Sequence, residues 1–325
     1  MSNANVIQLR APGNEGQTLA LHCVGPVRGS NEAVLFIHGL SFPTMLAAGF
    51  EFEGKDSWLD FMSNRGFLAC GLDFLGFGES SRPAAMMVEP AGAAPLDRAA
   101  DTAMQISVAA DYLLKTRGVK RLHVVAHSWG TVPAALYAAA HPTGLSSVTF
   151  FAPVVPKPGS PIKSTEFSWW GISPRERYEQ LKFADVLPKG LQLLEPAVDR
   201  KWAAEFAASG PDGKSNGIDE KLRIPAGPIA DFNDATVDHY PYHPTDVRIP
   251  VFVVYGSYDN VIDDAGGEAF LSRFANSSLK WRLRIDHGTH VMHLERNRKS
   301  LYQSVLAFVA AVDEESDSAP RSRHD

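Results

Sequence analysis

Residues 124–133 read VVAHSWGTVP, an apolar run that stops at a polar serine and resumes with small residues and a proline. Ser128 stands between Ala126 and Gly130. Small residues two positions to either side are what a sharp strand-to-helix turn needs, because backbones crowd there. The pattern is G-x-S-x-G with Ala for the first Gly, and a serine on such a turn is a candidate nucleophile. A serine that only caps the following helix would leave the same trace. Pro133 removes one intrahelical donor, which is tolerable so early in a helix.

Other chemistry-bearing residues also follow apolar runs. VLFIHGLSF ends a run on His38-Gly39, and CGLDFLGFGESSRP continues into D-x-x-G-x-G-x-S from Asp73 to Ser80. PVFVVYGSYDNV places Asp259 just past a run, with Asp263 and Asp264 where a helix should start and be capped. GTHVMHLE follows the last run and carries His290, with His293 and Glu295 behind it and His287 just before. The three-residue spacing of His287, His290 and His293 invites a metal reading. No cysteine or acidic cluster accompanies them, so no metal is expected.

These residues must be positioned by regular elements. Eight short apolar runs recur: VIQLR, TLALHCV, AVLFIH, FLACGLD, RLHVVA, SSVTFFA, PVFVVYG and KWRLRI. Most are too continuous for a strand with one wet face and read as strands covered on both sides. Between several of them lie helical stripes, such as Ile106, Ala110, Leu113 and Leu114 within 98–117, and Leu301, Val305, Phe308, Val309 and Val312 near the end. Strand–helix alternation implies a largely parallel sheet with helices on both faces. The first two runs are joined by turn residues and should form an antiparallel hairpin. From Val154 to Asp246 the rhythm breaks: no strand is expected there, but helices are, among them ISPRERYEQLKFA with Ser173 as N-cap and Pro174 at the first helical position. The last stretch, DEESDSAPRSRHD, is polar and aperiodic and is expected to be disordered.

Bulk properties narrow the function classes. The chain has 325 residues, 45% hydrophobic and 21% charged, an ordinary globular composition. A net charge of −6 without a basic block argues against nucleic acid. No basic segment followed by an apolar stretch opens the chain, and no run approaches the ~18 apolar residues of a membrane span. The two cysteines, Cys23 and Cys70, fall inside predicted strands and could meet in space, but two buried thiols of a reducing compartment are the expectation, and with them a cytoplasmic location.

The serine turn, His38-Gly39, the Asp73–Ser80 segment, Asp259 and His290, in this order and at these strand ends, resemble the α/β-hydrolase family. That resemblance implies an eight-stranded, mostly parallel sheet with helices on both faces, built from residues 1–153 and 247–312. It also implies a helical cap over 154–246, with a disordered tail at 313–325. Ser128 then matches the nucleophile, Asp259 the acid and His290 the base, in the Ser…Asp…His order of that fold. His290 would take the serine proton and return it to the leaving group, while Asp259 orients the imidazole. The backbone N–H groups of Trp129 and Leu40 would form the oxyanion hole. His287 is the rival base, and Asp263 and Asp264 are rivals for the acid. His127, His38 and Asp73 are expected to support the site rather than react, and His293 to pack or hydrogen-bond beneath the loop.

A serine at the turn, rather than an aspartate, separates the chain from the dehalogenases and epoxide hydrolases of that family. The loop His38-Gly39-Leu40-Ser41-Phe42 also lacks the glycine-rich oxyanion loop of proline iminopeptidases. The leading expectation is therefore hydrolysis of a small or medium carboxylic ester through an acyl-Ser128 intermediate. Cleavage of a C–C bond, lactone or amide uses the same groups, and a slow-turnover small-molecule receptor is a different class of answer on this fold. Trp169, Trp170 and Trp202 could line an acyl pocket or simply pack, and the aromatic composition of 154–246 leans toward an apolar or aromatic substrate group. No cofactor is implied, since Ser, His, Asp and water suffice. The sequence carries no signal for an oligomeric state.

Overall fold

All eight apolar runs become strands of one sheet. The computed structural model describes residues 4–318, apart from 14–15, 27–28, 54–55, 210–216 and 218. In chain order the elements are β1 (Asn5–Arg10), β2 (Thr18–Val24), β3 (Glu32–Ile37), α1 (Trp58–Ser63), β4 (Leu68–Leu72), α2 (Ala99–Asp111), β5 (Arg121–His127), α3 (Thr131–Ala139) and β6 (Leu145–Phe151). Then come β7 (Trp169–Ile172), α4 (Pro174–Leu181), α5 (Pro196–Ala208), β8 (Leu222–Pro225) and α6 (Gly227–Thr236). The chain finishes with β9 (Val251–Gly256), α7 (Asp264–Ser272), β10 (Lys280–Ile285) and α8 (Arg298–Ser318).

The sheet order is β1-β2-β4-β3-β5-β6-β9-β10. The pairs β1–β2 and β2–β4 are antiparallel, and every other pair is parallel. The central strands are apolar on both sides because both faces are covered. Ile106, Leu113, Val132 and Phe270 pack one face, while Trp58, Met62, Leu301, Val305 and Phe308 pack the other. β10 lies at an edge, so Lys280, Arg282 and Arg284 alternate out to solvent along it. Asp263 caps α7 by accepting from the Gly266 N–H at 2.7 Å. Ser173 and Glu176 cap α4 reciprocally, with Pro174 at its first position.

Three expectations need correction. Cys23 and Cys70 are not free thiols but a disulfide. They face each other across the antiparallel β2–β4 pair with Cα atoms 4.1 Å apart, a proximity that no local pattern announces. The thiol premise for a cytoplasmic location therefore falls. The segment between β6 and β9 is not strand-free, because β7 and β8 pair antiparallel, Trp170 opposite Ile224. Two four-residue strands separated by some 50 residues carry too short an alternation to read locally. Finally, residues 313–318 are not disordered: α8 runs on to Ser318, and Asp313 lies 3.2 Å from Arg121. The remainder of that tail lies outside the described residues. Among the described residues no helix is long and apolar enough to cross a membrane.

Candidate active site

The five motif-bearing loops leave the carboxyl ends of the parallel strands β3, β4, β5, β9 and β10, where open α/β sheets place their sites. Ser128 follows β5 directly. Its φ of 55° is costly for a non-glycine residue and turns the chain from strand into a short 3-10 turn that feeds α3. Thr131 Oγ1 donates to the Ser128 carbonyl at 2.6 Å and holds the turn. Gly130 is required sterically: a Cβ there would lie 2.3 Å from the His38 carbonyl oxygen. The elbow and the loop after β3 thus touch backbone to backbone.

Three expected side chains meet. Ser128 Oγ lies 2.7 Å from His290 Nε2, and His290 Nδ1 lies 3.1 Å from both Asp259 carboxylate oxygens. A carboxylate can only accept, so Nδ1 carries the proton and Nε2 is left to accept from the serine hydroxyl. The Asp259 side chain is fully covered, and its Oδ1 also accepts from the N–H groups of Val261 at 2.8 Å and Ile262 at 3.3 Å. The rivals stay apart from this trio. His287 is well exposed and nearest to Asp286, and Asp264 accepts from the Tyr255 hydroxyl. His287, His290 and His293 do not converge. Among the described residues no group of three or more His, Cys, Asp or Glu side chains is arranged to hold a metal ion.

The supporting histidines each have a defined task. His38 Nδ1 donates to the Gly39 carbonyl at 2.8 Å, and its Nε2 accepts from the Phe74 N–H at 3.2 Å. Fixing the Gly39–Leu40 peptide by its carbonyl turns the Leu40 N–H to the opposite side. Burial lowers the His38 pKa, so the ring stays neutral and the tautomer is set. His127 Nε2 donates to the His290 carbonyl at 2.8 Å and ties the end of β5 to the loop of His290. Burial, with His293 and His290 beside it, holds the His127 pKa well below the usual histidine range. His293 packs near Phe42, His127 and Phe151 with neither ring nitrogen hydrogen-bonded, and burial pushes its pKa down to about 3.

Asp73 anchors the far end of the loop after β3. Its Oδ1 accepts from the Thr44 N–H at 2.8 Å, while Oδ2 meets His22 Nε2 at 2.8 Å and the Glu79 N–H at 3.1 Å. Gly78, at φ 48°, lets the chain fold over this carboxylate, because a Cβ would sit 2.0 Å from Oδ2. Burial disfavours both charged partners, yet their mutual attraction wins, raising His22 and lowering Asp73.

A cavity of about 530 Å³ opens over Ser128 and His290. Its walls include Leu40, Phe42 and Val261 from the sheet side, with Leu181, Phe183 and Phe232 from the segment between β6 and β9. None of the three tryptophans lines it; Trp202 is buried with its indole N–H on the Leu46 carbonyl, and it packs against Phe42 and Phe206. Two residues went unread in the sequence. Asp231 on α6 accepts from the Trp129 indole at 3.1 Å, the Ala99 N–H at 2.7 Å and Arg98 Nε at 2.5 Å, partners more than 100 residues away. Arg177 lines the cavity, and the 174/177/178/181 stripe of α4 was the signal that could have found it.

A sequence profile of the alpha/beta hydrolase fold matches residues 32–297, and the chain belongs to that family. No curated protein sequence matches it. Among solved structures, it is similar to a serine hydrolase involved in carbazole degradation, the CarC enzyme, at 13% identity and TM-score 0.62, covering 95% of this chain and 99% of that one. It is also similar to a thioesterase domain from the curacin biosynthetic pathway, at 16% identity and TM-score 0.60 over 94% and 100% of the two chains. The carboxylesterase CesB of Bacillus subtilis aligns at 15% identity and TM-score 0.56, over 95% and 92%. At these identities the likeness is one of fold.

Proposed function

We propose that this protein is a serine hydrolase of carboxylic esters, with Ser128 as nucleophile, His290 as base and Asp259 as the acid that orients it. The observation that carries the reading is the unbroken chain of contacts from Ser128 Oγ through His290 to Asp259. As Ser128 Oγ attacks the ester carbonyl, its proton passes to His290 Nε2, and Asp259 stabilises the imidazolium. The carbonyl oxygen gains negative charge and is met by the backbone N–H groups of Leu40 and Trp129. Collapse breaks the bond to the alcohol, which leaves with the proton from His290. Water then attacks the acyl carbon, gives its proton to His290, and a second collapse frees the acid and restores Ser128. The segment 154–246 acts as a cap, since Leu181, Phe183 and Phe232 contribute an apolar wall suited to the substrate.

Labelling with a fluorophosphonate tests the nucleophile without knowledge of the natural substrate. Wild type should gain one adduct by intact mass and Ser128→Ala none. On a nitrophenyl ester, Ser128→Ala should lose about 10⁶-fold in kcat and Asp259→Asn about 10⁴-fold, since Asp259 acts only through His290. A folded wild type that neither labels nor turns over esters, lactones or diketones would refute the proposal.

A further inference from the structure

The cavity above Ser128 mixes apolar side chains such as Leu40, Phe42, Leu181 and Phe232 with polar ones, and Arg177 on α4 is among its lining residues. Other arginines of the chain, such as Arg98, Arg175 and Arg298, hold a carboxylate within 3.5 Å. Arg177 pairs with no acidic side chain among the described residues. Its Nη1 donates to Gln180 Oε1 at 2.6 Å, its Nε is buried without an acceptor, and its Cζ lies 5.6 Å from the centre of the Phe42 ring. Glu179 and Asp185 also border the cavity, but they are exposed at its mouth, and Glu179 is taken by Lys182 at 2.9 Å. Burial pulls the Arg177 pKa down to about 10, which leaves it a cation at neutral pH.

Arg177 is half-buried, but its Nε is covered and has no acceptor, and a covered donor left idle calls for an explanation. With Nη1 engaged by Gln180, the free edge is the one formed by Nε and Nη2. That edge presents two parallel N–H donors, the geometry that receives a planar carboxylate side-on. A single arginine cation balances one negative charge, so a carboxylate fits it better than a dianionic phosphate. His127 and His293, buried beneath the cavity, are held neutral and add no charge.

We propose that Arg177 anchors a carboxylate on the substrate, so that the enzyme's substrates are half-esters: esters in which the part lying under α4 carries a free carboxylate group. This proposal rests on the ester-hydrolase reading above and adds the substrate class. Lining the same cavity as Ser128, Arg177 selects by charge while the apolar walls hold the connecting chain.

The test compares mono-4-nitrophenyl glutarate with 4-nitrophenyl pentanoate, and adds a binding measurement that needs no turnover. Wild type should show the higher kcat/KM on the glutarate. In Arg177→Met the glutarate-to-pentanoate ratio should fall by about 10- to 100-fold, the usual reach of charge-assisted hydrogen bonds, and Arg177→Lys should recover part of it. By calorimetry, Ser128→Ala should bind monomethyl glutarate, and the Ser128→Ala/Arg177→Met double variant should not. Removing an unpaired charge should leave the thermal midpoint of Arg177→Met unchanged or higher, which a purely structural role would not. A ratio indifferent to Arg177, with esters still hydrolysed, would overturn the carboxylate anchor and leave ester hydrolysis standing. Arg177-dependent binding without hydrolysis of any ester would do the reverse.

Discussion

His38 shows how a buried side chain acts on chemistry it never touches. It grips the Gly39 carbonyl with one ring nitrogen and receives the Phe74 N–H with the other, so the Leu40 peptide has one orientation. An alanine at 38 would free that peptide while leaving the cavity walls in place. The expected outcome is a fall in kcat of about 10²-fold, the effect of losing one oxyanion donor, with KM little altered. A proportional rise in KM, or a loss of folded protein that accounts for the whole effect, would show that His38 merely packs. Gly130 belongs to the same contact, because only its missing side chain lets the elbow approach the His38 carbonyl.

At the scale of elements, the segment between β6 and β9 is fastened to the site through Asp231. One carboxylate on α6 satisfies the first N–H of α2, the guanidinium of Arg98 and the indole of Trp129, the residue next to Ser128. Burial raises the Asp231 pKa, and the charge of Arg98 opposes that rise. Asp231→Ala would strand the Ala99 N–H and the indole in a dry place. A destabilisation of roughly 2–4 kcal/mol is expected, discounted for the half-exposed Arg98. Urea unfolding followed by tryptophan fluorescence measures it, and a change below 1 kcal/mol would dismiss the latch. The loop carrying His290 is fastened separately, since Glu295 accepts from both the N–H and the hydroxyl of Thr289.

For the whole molecule, these buried groups set how stability follows pH. Burial pushes Glu295 up to about 7, against its hydrogen bonds from Thr289 and reinforced by Asp259 nearby; burial does the same to Asp97. Their folded pKa values exceed the unfolded ones, so the folded state holds protons that the unfolded chain has released. Stability from these two groups is full below the unfolded values, 3.8 for Asp97 and 4.5 for Glu295, and declines as pH rises to about 7. His127 and His293 work in the opposite sense, because below about 6.5 the unfolded chain binds protons that their buried rings refuse. The two effects separate in Glu295→Gln. Its stability relative to wild type should improve by roughly 3 kcal/mol between pH 4.5 and 7 and then level off. Denaturation series at several pH values would show it, and a difference independent of pH would rule it out.

The sequence alone determined what local chemistry can announce. Eight apolar runs bounded by turn residues became the eight strands of the main sheet, the central ones continuously apolar because both their faces are covered. Ser128, Asp259 and His290 could be singled out as candidates because each follows such a run, and Ala126 and Gly130 marked the crowding of the turn. Tertiary structure decided everything that depends on distance through space. It brought Cys23 against Cys70 by the register of β2 and β4, paired β7 with β8, and kept residues 313–318 in the last helix. It also set His290 rather than His287 beside Ser128, kept the tryptophans out of the cavity lining, and gave Asp231 partners from two other elements. Above all it left Arg177 charged and unpaired above the serine. Periodicity could put that residue on an inner face of its helix, but only packing fixes which carboxylates come within its reach.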